Sequence, residues 1–205
     1  MTSKEALSRY RGKRDFSTTA EPPEAGAPGS AGRPRFVVQI HDASTMHFDF
    51  RLEVDGVLKS WAVPKGPPGD PHDKRLAVPT EDHPLAYRDF EGVIAEGGYG
   101  AGTVIIWDEG TYRSLATDRR GHGIPFAEAL EKGHVSFALE GGKLRGGYAL
   151  TRLPEDRTGA REAWLLVGRG HRTARRPAPD PRRARSARTG RTLRQTAAAS
   201  ADSGT

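Results

Sequence analysis

From Arg35 onward the chain alternates apolar and polar side chains with the period of a β-strand. Phe36, Val38 and Ile40 share one face, and Gln39 and His41 share the other. The alternation resumes from His47 to Val54, where Phe48, Phe50, Leu52 and Val54 oppose His47, Asp49, Arg51 and Glu53. Asp55-Gly56 separates this run from residues 57–63, which is the strongest short hairpin signal a sequence offers, and Pro64 ends the returning strand. Further strands are predicted at 75–79, 92–95, 103–108, 111–115, 134–139, 147–153 and 162–167, with Glu109-Gly110 as a second hairpin turn. A short helix is predicted at 125–132, with Pro125 in its first turn and Gly133 just past its end. Another begins near Thr2-Ser3-Lys4-Glu5, which has capping-box spacing, and has Leu7 and Tyr10 as its apolar face. Short, closely spaced strands with glycine turns predict a mainly β fold, a small antiparallel β-barrel with one or two short flanking helices.

Composition divides the chain in three. Residues 1–34 form an N-terminal helix and a flexible arm, because 17–34 is mostly Pro, Gly, Ala and Ser. Residues 35–170 carry the barrel. Residues 171–205 read as a disordered Arg-rich tail, with nine arginines and almost nothing to bury. The net charge of +6 resides in that tail, which is +7 by itself and leaves the first 170 residues at −1. The tail composition suits phosphate backbones in a sequence-independent, salt-sensitive way, or serves only solubility. With no cysteine, disulfides and cysteine-ligated zinc are excluded. No apolar run approaches the ~20 residues that span a bilayer, and the N-terminus lacks the apolar core of a signal peptide. The expected location is cytoplasmic and nucleoid-associated, without membrane contact.

The chemistry concentrates in residues 41–51. Strand periodicity sets His47, Asp49 and Arg51 on one face, and a hairpin brings His41 beside His47. Two imidazoles and a carboxylate form a donor set suited to Mn²⁺, Fe²⁺ or Zn²⁺, and three donors leave positions open for water or substrate. The competing reading is a solvated polar face. Arg51 is placed to hold an anion such as phosphate, or to pair with Asp49 or Glu53. His83 can exchange a proton near neutral pH, and Tyr87 follows it by four residues. The glycine-rich run 97–102 matches no nucleotide-binding signature and reads as a tight turn before Thr103.

These segments resemble the 3′-phosphoesterase module of bacterial DNA ligase D. The resemblance runs from Arg35-Phe36-Val37-Val38-Gln39 through His41, His47, Asp49, Arg51 and the stretch 55–67 (DGVLKSWAVPKGP). It continues through 74–78 (KRLAV), Glu81-Asp82-His83-Pro84-Leu85, Tyr87, 90–94 (FEGVI) and 99–104 (YGAGTV), and covers roughly residues 7–168. It implies a Mn²⁺-dependent enzyme, with Co²⁺ as another usable ion, that trims DNA or RNA-tailed DNA 3′ ends in non-homologous end joining. Such an enzyme removes a terminal ribonucleoside and then the 3′-phosphate, leaving the 3′-hydroxyl that a ligase needs. It further implies His41, His47 and Asp49 as metal ligands, and Arg51, His83, Tyr87 and Gln39 as catalytic or supporting residues. Arg14, Asp15, Glu21, Lys65 and Arg75 would contact phosphate or substrate. Thr45, Ile40, Ala95, Gly98 and Gly168 depart from the family pattern without touching the implied ligands. No Lys-x-Asp-Gly motif of a nucleotidyl acceptor is present, so the expectation is a freestanding enzyme that hands its product to separate ligase, polymerase and end-joining proteins. Two rival classes fit the same donor set: a two-histidine, one-carboxylate iron oxygenase, and a non-catalytic DNA-end-binding adaptor.

Overall fold

The alternating run folds as two antiparallel strands, β1 (Arg35–Asp42) and β2 (His47–Val54), in a computed structural model that describes residues 3–23, 32–154, 162–169 and 180–202. Asp55 and Gly56 turn the chain into β3 (Val57–Val63) with φ of 48° and 80°. Two successive positive φ values match the right-handed twist of the flanking strands. The chain continues through β4 (Lys74–Pro79), a 3₁₀ turn (Leu85–Asp89), β5 (Gly92–Ile94) and the long β6 (Gly102–Ser114). Then follow β7 (His134–Gly141), β8 (Arg145–Arg152) and β9 (Trp164–Arg169).

Eight of these strands close in the order β1-β2-β3-β4-β9-β8-β7-β6, and β6 pairs back onto β1. β5 adds to the first half of β6, while β7 takes the second half. The fold is therefore the expected antiparallel barrel. The turn predicted at Glu109-Gly110 is absent, because β6 runs straight through it between β1 and β7. Gly110 serves proximity instead: a Cβ there would overlap the Glu140 carbonyl oxygen on β7. Between β1 and β6 the register shifts at Val38/Gln39, leaving Trp107 as an extra residue on β6. The amide of Ile106, beside this bulge, donates to Glu91 Oε2 at 3.0 Å.

Phe36, Val38, Ile40, Phe48, Phe50, Leu52, Phe137 and Leu150 pack inside the barrel. Each large apolar side chain buried this way contributes about 1.5–3 kcal/mol. A second cluster of Tyr10, Leu58, Leu85, Tyr87, Phe90, Ile94 and Val104 lies apart from that interior, with Phe16 packed against it. Two short helices, α1 (Ser3–Ala6) and α2 (Ser8–Gly12), bring in Tyr10. This second layer decides the fate of the polar face of β1 and β2. Gln39, Asp49 and Arg51 are buried rather than solvated. The helix predicted at 125–132 appears as α3 (Phe126–Glu131), ended by Gly133 at φ 84°.

The tail departs from expectation. Asp180–Asp202 is ordered against the barrel and includes α4 (Leu193–Asp202); residues 171–179 and 203–205 lie outside the described residues. Thr192 and Gln195 cap that helix reciprocally: the Gln195 amide donates to Thr192 Oγ1, and the Thr192 amide donates to Gln195 Oε1. Leu193 joins the main core, and the Ala187 amide donates to the Ile106 carbonyl at 2.7 Å. Composition argued for disorder, but one buried leucine, a cap and an alanine-rich helix give this segment a seat. The N-terminal arm departs in the same direction. As far as Pro23 it is tied down, with Glu21 buried and Tyr10 Oη donating to the Pro22 carbonyl at 2.7 Å.

Candidate metal centre and its arginine network

His41 and His47 face each other as the last residue pair of the β1–β2 ladder, and Gln39 pairs with Asp49 one step further in. One donor atom from each of His41, His47 and Asp49 lies within 4.8 Å of the others. His41 Nε2 is 2.8 Å from the Gly100 carbonyl, and His47 Nδ1 is 2.8 Å from the Thr45 carbonyl. A carbonyl can only accept, so each of those nitrogens carries the proton. The opposite nitrogens are left as lone-pair donors, and both point at one carboxylate. His41 Nδ1 is 3.7 Å from Asp49 Oδ2, and His47 Nε2 is 3.6 Å from Asp49 Oδ1. Metal-binding imidazoles are characteristically oriented in this way by a backbone acceptor on the far nitrogen. The residues present thus fit a divalent ion.

Behind the three donors sits Arg51. Its guanidinium donates from Nη2 to Asp49 at 3.0 Å, from Nε to Gln39 Oε1 at 2.8 Å and from Nη1 to Ser60 Oγ at 2.9 Å. Nη1 also lies 3.0 Å from His83 Nδ1. Gln39 is itself fixed by donating to the Tyr87 and Phe90 carbonyls. Three of the five guanidinium N–H groups thereby donate to an oxygen acceptor, one more on Nη1 faces the His83 ring, and one on Nη2 has no protein partner among the described residues. The Tyr87 ring lies under the cation at 4.8 Å. Burial alone would raise the Asp49 carboxyl, but the Arg51 guanidinium at 3.0 Å outweighs it and holds the group far below the usual carboxylate range. Burial, then the Arg51 and Arg14 cations, push His83 well below the usual imidazole value, so the ring is neutral here. Its Nδ1 is also 2.8 Å from the Glu81 carbonyl. Burial likewise holds the Tyr87 phenol well above its usual value, so it stays protonated.

The N-terminal arm closes over this network. Arg14 is buried between Glu21, at 2.9 Å, and Glu81, at 3.1 Å, with its guanidinium 3.9 Å from the centre of the Tyr10 ring. Lys13 pairs with Glu81 and donates to Tyr99 Oη. Tyr99 neighbours Gly100, whose carbonyl orients His41. Of the residues singled out in the sequence, the structure brings together His41, His47, Asp49, Arg51, Gln39, His83 and Tyr87, with Arg14 and Glu21 above them. It does not bring in Asp15, Lys65 or Arg75. Asp15 is exposed and accepts from Ser17. Lys65 is exposed without an ion-pair partner among the described residues. Arg75 pairs with Asp73 at 2.6 Å.

Sequence reading passed over Ser60, Glu81, Gly100 and the Thr45 carbonyl. Ser60 and Glu81 had a usable signal, since Arg51 lies across from Ser60 in the β2–β3 register and Glu81 sits two residues before His83. The two carbonyls had none, because backbone acceptors carry no residue signature.

An eight-stranded barrel whose ligand hairpin carries three convergent donors, braced by a buried arginine, defines a class of β-barrel proteins with a candidate metal site beside a cation. A family model described as the DNA Ligase D 3′-phosphoesterase domain matches residues 39–152. The multifunctional non-homologous end joining protein LigD of Pseudomonas aeruginosa is 52% identical over 168 residues, 82% of this chain and 19% of that protein. The multifunctional non-homologous end joining DNA repair protein LigD of Mycobacterium tuberculosis is 48% identical over 151 residues, 74% of this chain and 19% of that protein. LigD of Mycolicibacterium smegmatis is 42% identical over 149 residues, 70% of this chain. The chain belongs to the DNA ligase D 3′-phosphoesterase domain family. It spans about a fifth of the length of these curated relatives.

Proposed function

We propose that this site is a metal-dependent phosphoesterase that processes DNA 3′ ends in non-homologous end joining. It removes a 3′-terminal ribonucleoside and a 3′-phosphate, leaving a 3′-hydroxyl for a ligase. The observation that carries this reading is the pair of imidazoles whose far nitrogens are tied to carbonyls while their near nitrogens converge on an Arg51-bound carboxylate. His41 Nδ1, His47 Nε2 and Asp49 would hold the ion, Mn²⁺ in this reading with Co²⁺ as a substitute. When bound, it supplies Lewis-acid polarisation of a phosphoryl oxygen.

The chain's own residues do the rest. Arg51 presents its uncommitted N–H and its charge to the phosphoryl group, and Gln39 and Ser60 keep it from reorienting. His83 is neutral while Arg51 and Arg14 repel its proton. An incoming phosphate offsets that repulsion and raises the ring toward protonation, so it can donate to the leaving oxygen. Arg14, Glu21 and Tyr10 cover one side of the site and limit bulk solvent, while a single water would enter to form the new bond to phosphorus as the bond to the leaving oxygen breaks. Asp15, Lys65 and Arg75 act as outlying substrate contacts that engage only when DNA is bound. The ligase and polymerase that use the product are partners in this reading, and its setting is the cytoplasm and nucleoid. Among the described residues no helix is long and apolar enough to cross a membrane.

The test uses metal-stripped protein and two primer–templates, one ending in a 3′-phosphate and one in a 3′-ribonucleotide. Mn²⁺, Co²⁺, Mg²⁺ and Zn²⁺ are restored separately, with and without oxygen. Metal-restored, oxygen-independent conversion to a 3′-hydroxyl is expected, with loss of both reactions in His47→Ala and Asp49→Ala. End binding with no product in any metal would instead identify an adaptor. Turnover that requires Fe²⁺, oxygen and a keto acid would identify an oxygenase.

A further inference from the structure

The Arg-rich segment lies outside the residues that the family model matches, yet it is seated next to the ligand hairpin. Its arginines divide into two kinds. Arg188 is a clamp: its guanidinium donates to Glu109 and to Asp89, and next to it Thr189 Oγ1 donates to Glu91. Arg182, Arg185 and Arg194 are exposed, and their side chains have no carboxylate partner among the described residues. Six arginines against two aspartates fall within residues 180–202, so the segment carries +4 after its own pairing charges are counted.

Position gives that charge a meaning. Arg182, Arg183, Arg185 and Arg194 line one groove together with Asp42, Met46 and Thr103. Asp42 directly follows His41, and Met46 directly precedes His47. Thr103 is the ladder partner of Asp42. Asp42 and Met46 alternate with His41 and His47 along their strands, so the groove lies at the donor end of the hairpin but on its opposite face, one chain width from the site, and Asp42 is the single carboxylate among its lining residues. A strand whose 3′ end reaches the donors carries a phosphate every few ångströms, and the next phosphates need cations within reach.

We infer that residues 180–202 are a docked backbone-binding surface, in which Arg182, Arg185 and Arg194 hold phosphates of the DNA whose 3′ end enters the His41–His47–Asp49 site. This deepens the reading that the site acts on DNA ends and rests on it. The surface contributes affinity without sequence preference, because its arginines meet phosphates and not base edges.

The experiment measures binding of a fluorescent primer–template to the full chain by anisotropy across a salt series, in chelator, so that no turnover intervenes. The triple variant Arg182→Ala/Arg185→Ala/Arg194→Ala is compared with Arg113→Ala/Arg119→Ala/Arg120→Ala. The latter removes the same charge from exposed arginines elsewhere on the barrel. The tail variant is expected to bind at least about tenfold more weakly near 0.1 M salt. Its slope of log K against log salt should be shallower by up to about 0.9 per arginine removed. The control should keep the wild-type slope, and Arg→Lys at the three tail positions should restore most of the affinity. Equal losses in the two triple variants, or no loss in either, would overturn the inference, as would a surface that binds acidic protein but not DNA. Phosphate release by the wild type with Mn²⁺ is scored separately. If it fails while arginine-dependent binding persists, the reaction falls and the surface stands.

Discussion

Asp49 and Arg51 form the buried ion pair on which the site is built, and a double-variant cycle measures their dependence on each other. Removing the Asp49 carboxylate leaves a buried guanidinium that donates only to a glutamine and a serine. Their nitrogen–oxygen contact is 3.0 Å, which sets the charge centres roughly 4 Å apart, worth about 4 kcal/mol at an effective dielectric near 20. That agrees with the ~3–5 kcal/mol typical of breaking one side of a buried pair. Asp49→Ala is therefore expected to lose about that much stability in metal-free urea unfolding at pH 7.5. Arg51→Met should lose less. It leaves Asp49 near the barrel end beside two imidazoles at 3.7 and 3.6 Å rather than against an unpaired buried cation. The double variant should cost clearly less than the sum, with a coupling of about 2–4 kcal/mol. Additivity to within about 0.5 kcal/mol would refute the claim that the pair acts as one unit. The pH dependence gives a second reading of the same pair. Because the folded Asp49 carboxyl lies below its ordinary value of about 3.9, its contribution is present above that pH and lost as pH falls through the folded value. Arg51→Met should flatten the acid limb of the stability profile below about pH 4.

Gly102 has a φ of 145°, and a Cβ there would overlap the Asp42 carbonyl. Gly102→Ala should cost at least about 2 kcal/mol and weaken Mn²⁺ binding by calorimetry, since it displaces the residue after His41. An unchanged metal affinity would contradict this. Thr192→Ala removes one half of the α4 capping pair and should lower stability by about 0.5–2 kcal/mol, read as a fall in melting temperature. Arg14→Ala leaves Glu21 without its cation and Glu81 with Lys13 alone, so the arm should release while the barrel stays folded. Cleavage by trypsin after Lys13 should speed up about tenfold for each 1.4 kcal/mol of docking lost, and unchanged cleavage would show that other contacts hold the arm.

The hairpin that carries the donors was legible because one alternating run, a D-G turn and a second run leave few other ways to fold. The pairing of His41 with His47 follows from that pattern alone. What lies over the hairpin was not legible. Tyr10, Leu58 and the Tyr87–Phe90 turn come from three separate stretches, and only the fold brings them together above Gln39 and Arg51. Gly110 misled for a related reason. Glycine signals both a turn and a close approach of strands, and local sequence does not tell them apart. The tail was misread from its average composition, although Thr192-x-x-Gln195 ahead of an alanine run was a readable helix start.

The bulge at the barrel seam has a consequence for the order of folding. It lies where β1 meets β6, strands far apart in the chain, and Ile106 beside it offers the carbonyl that receives Ala187. Pairing this remote is slow relative to hairpin formation. The C-terminal segment has no complete berth until the ring has shut, so its arrival is a late event that reports closure. A fluorophore near residue 193 would therefore time the completion of the barrel, and a nascent chain would gain its arginine surface only once the donor hairpin was already locked in place.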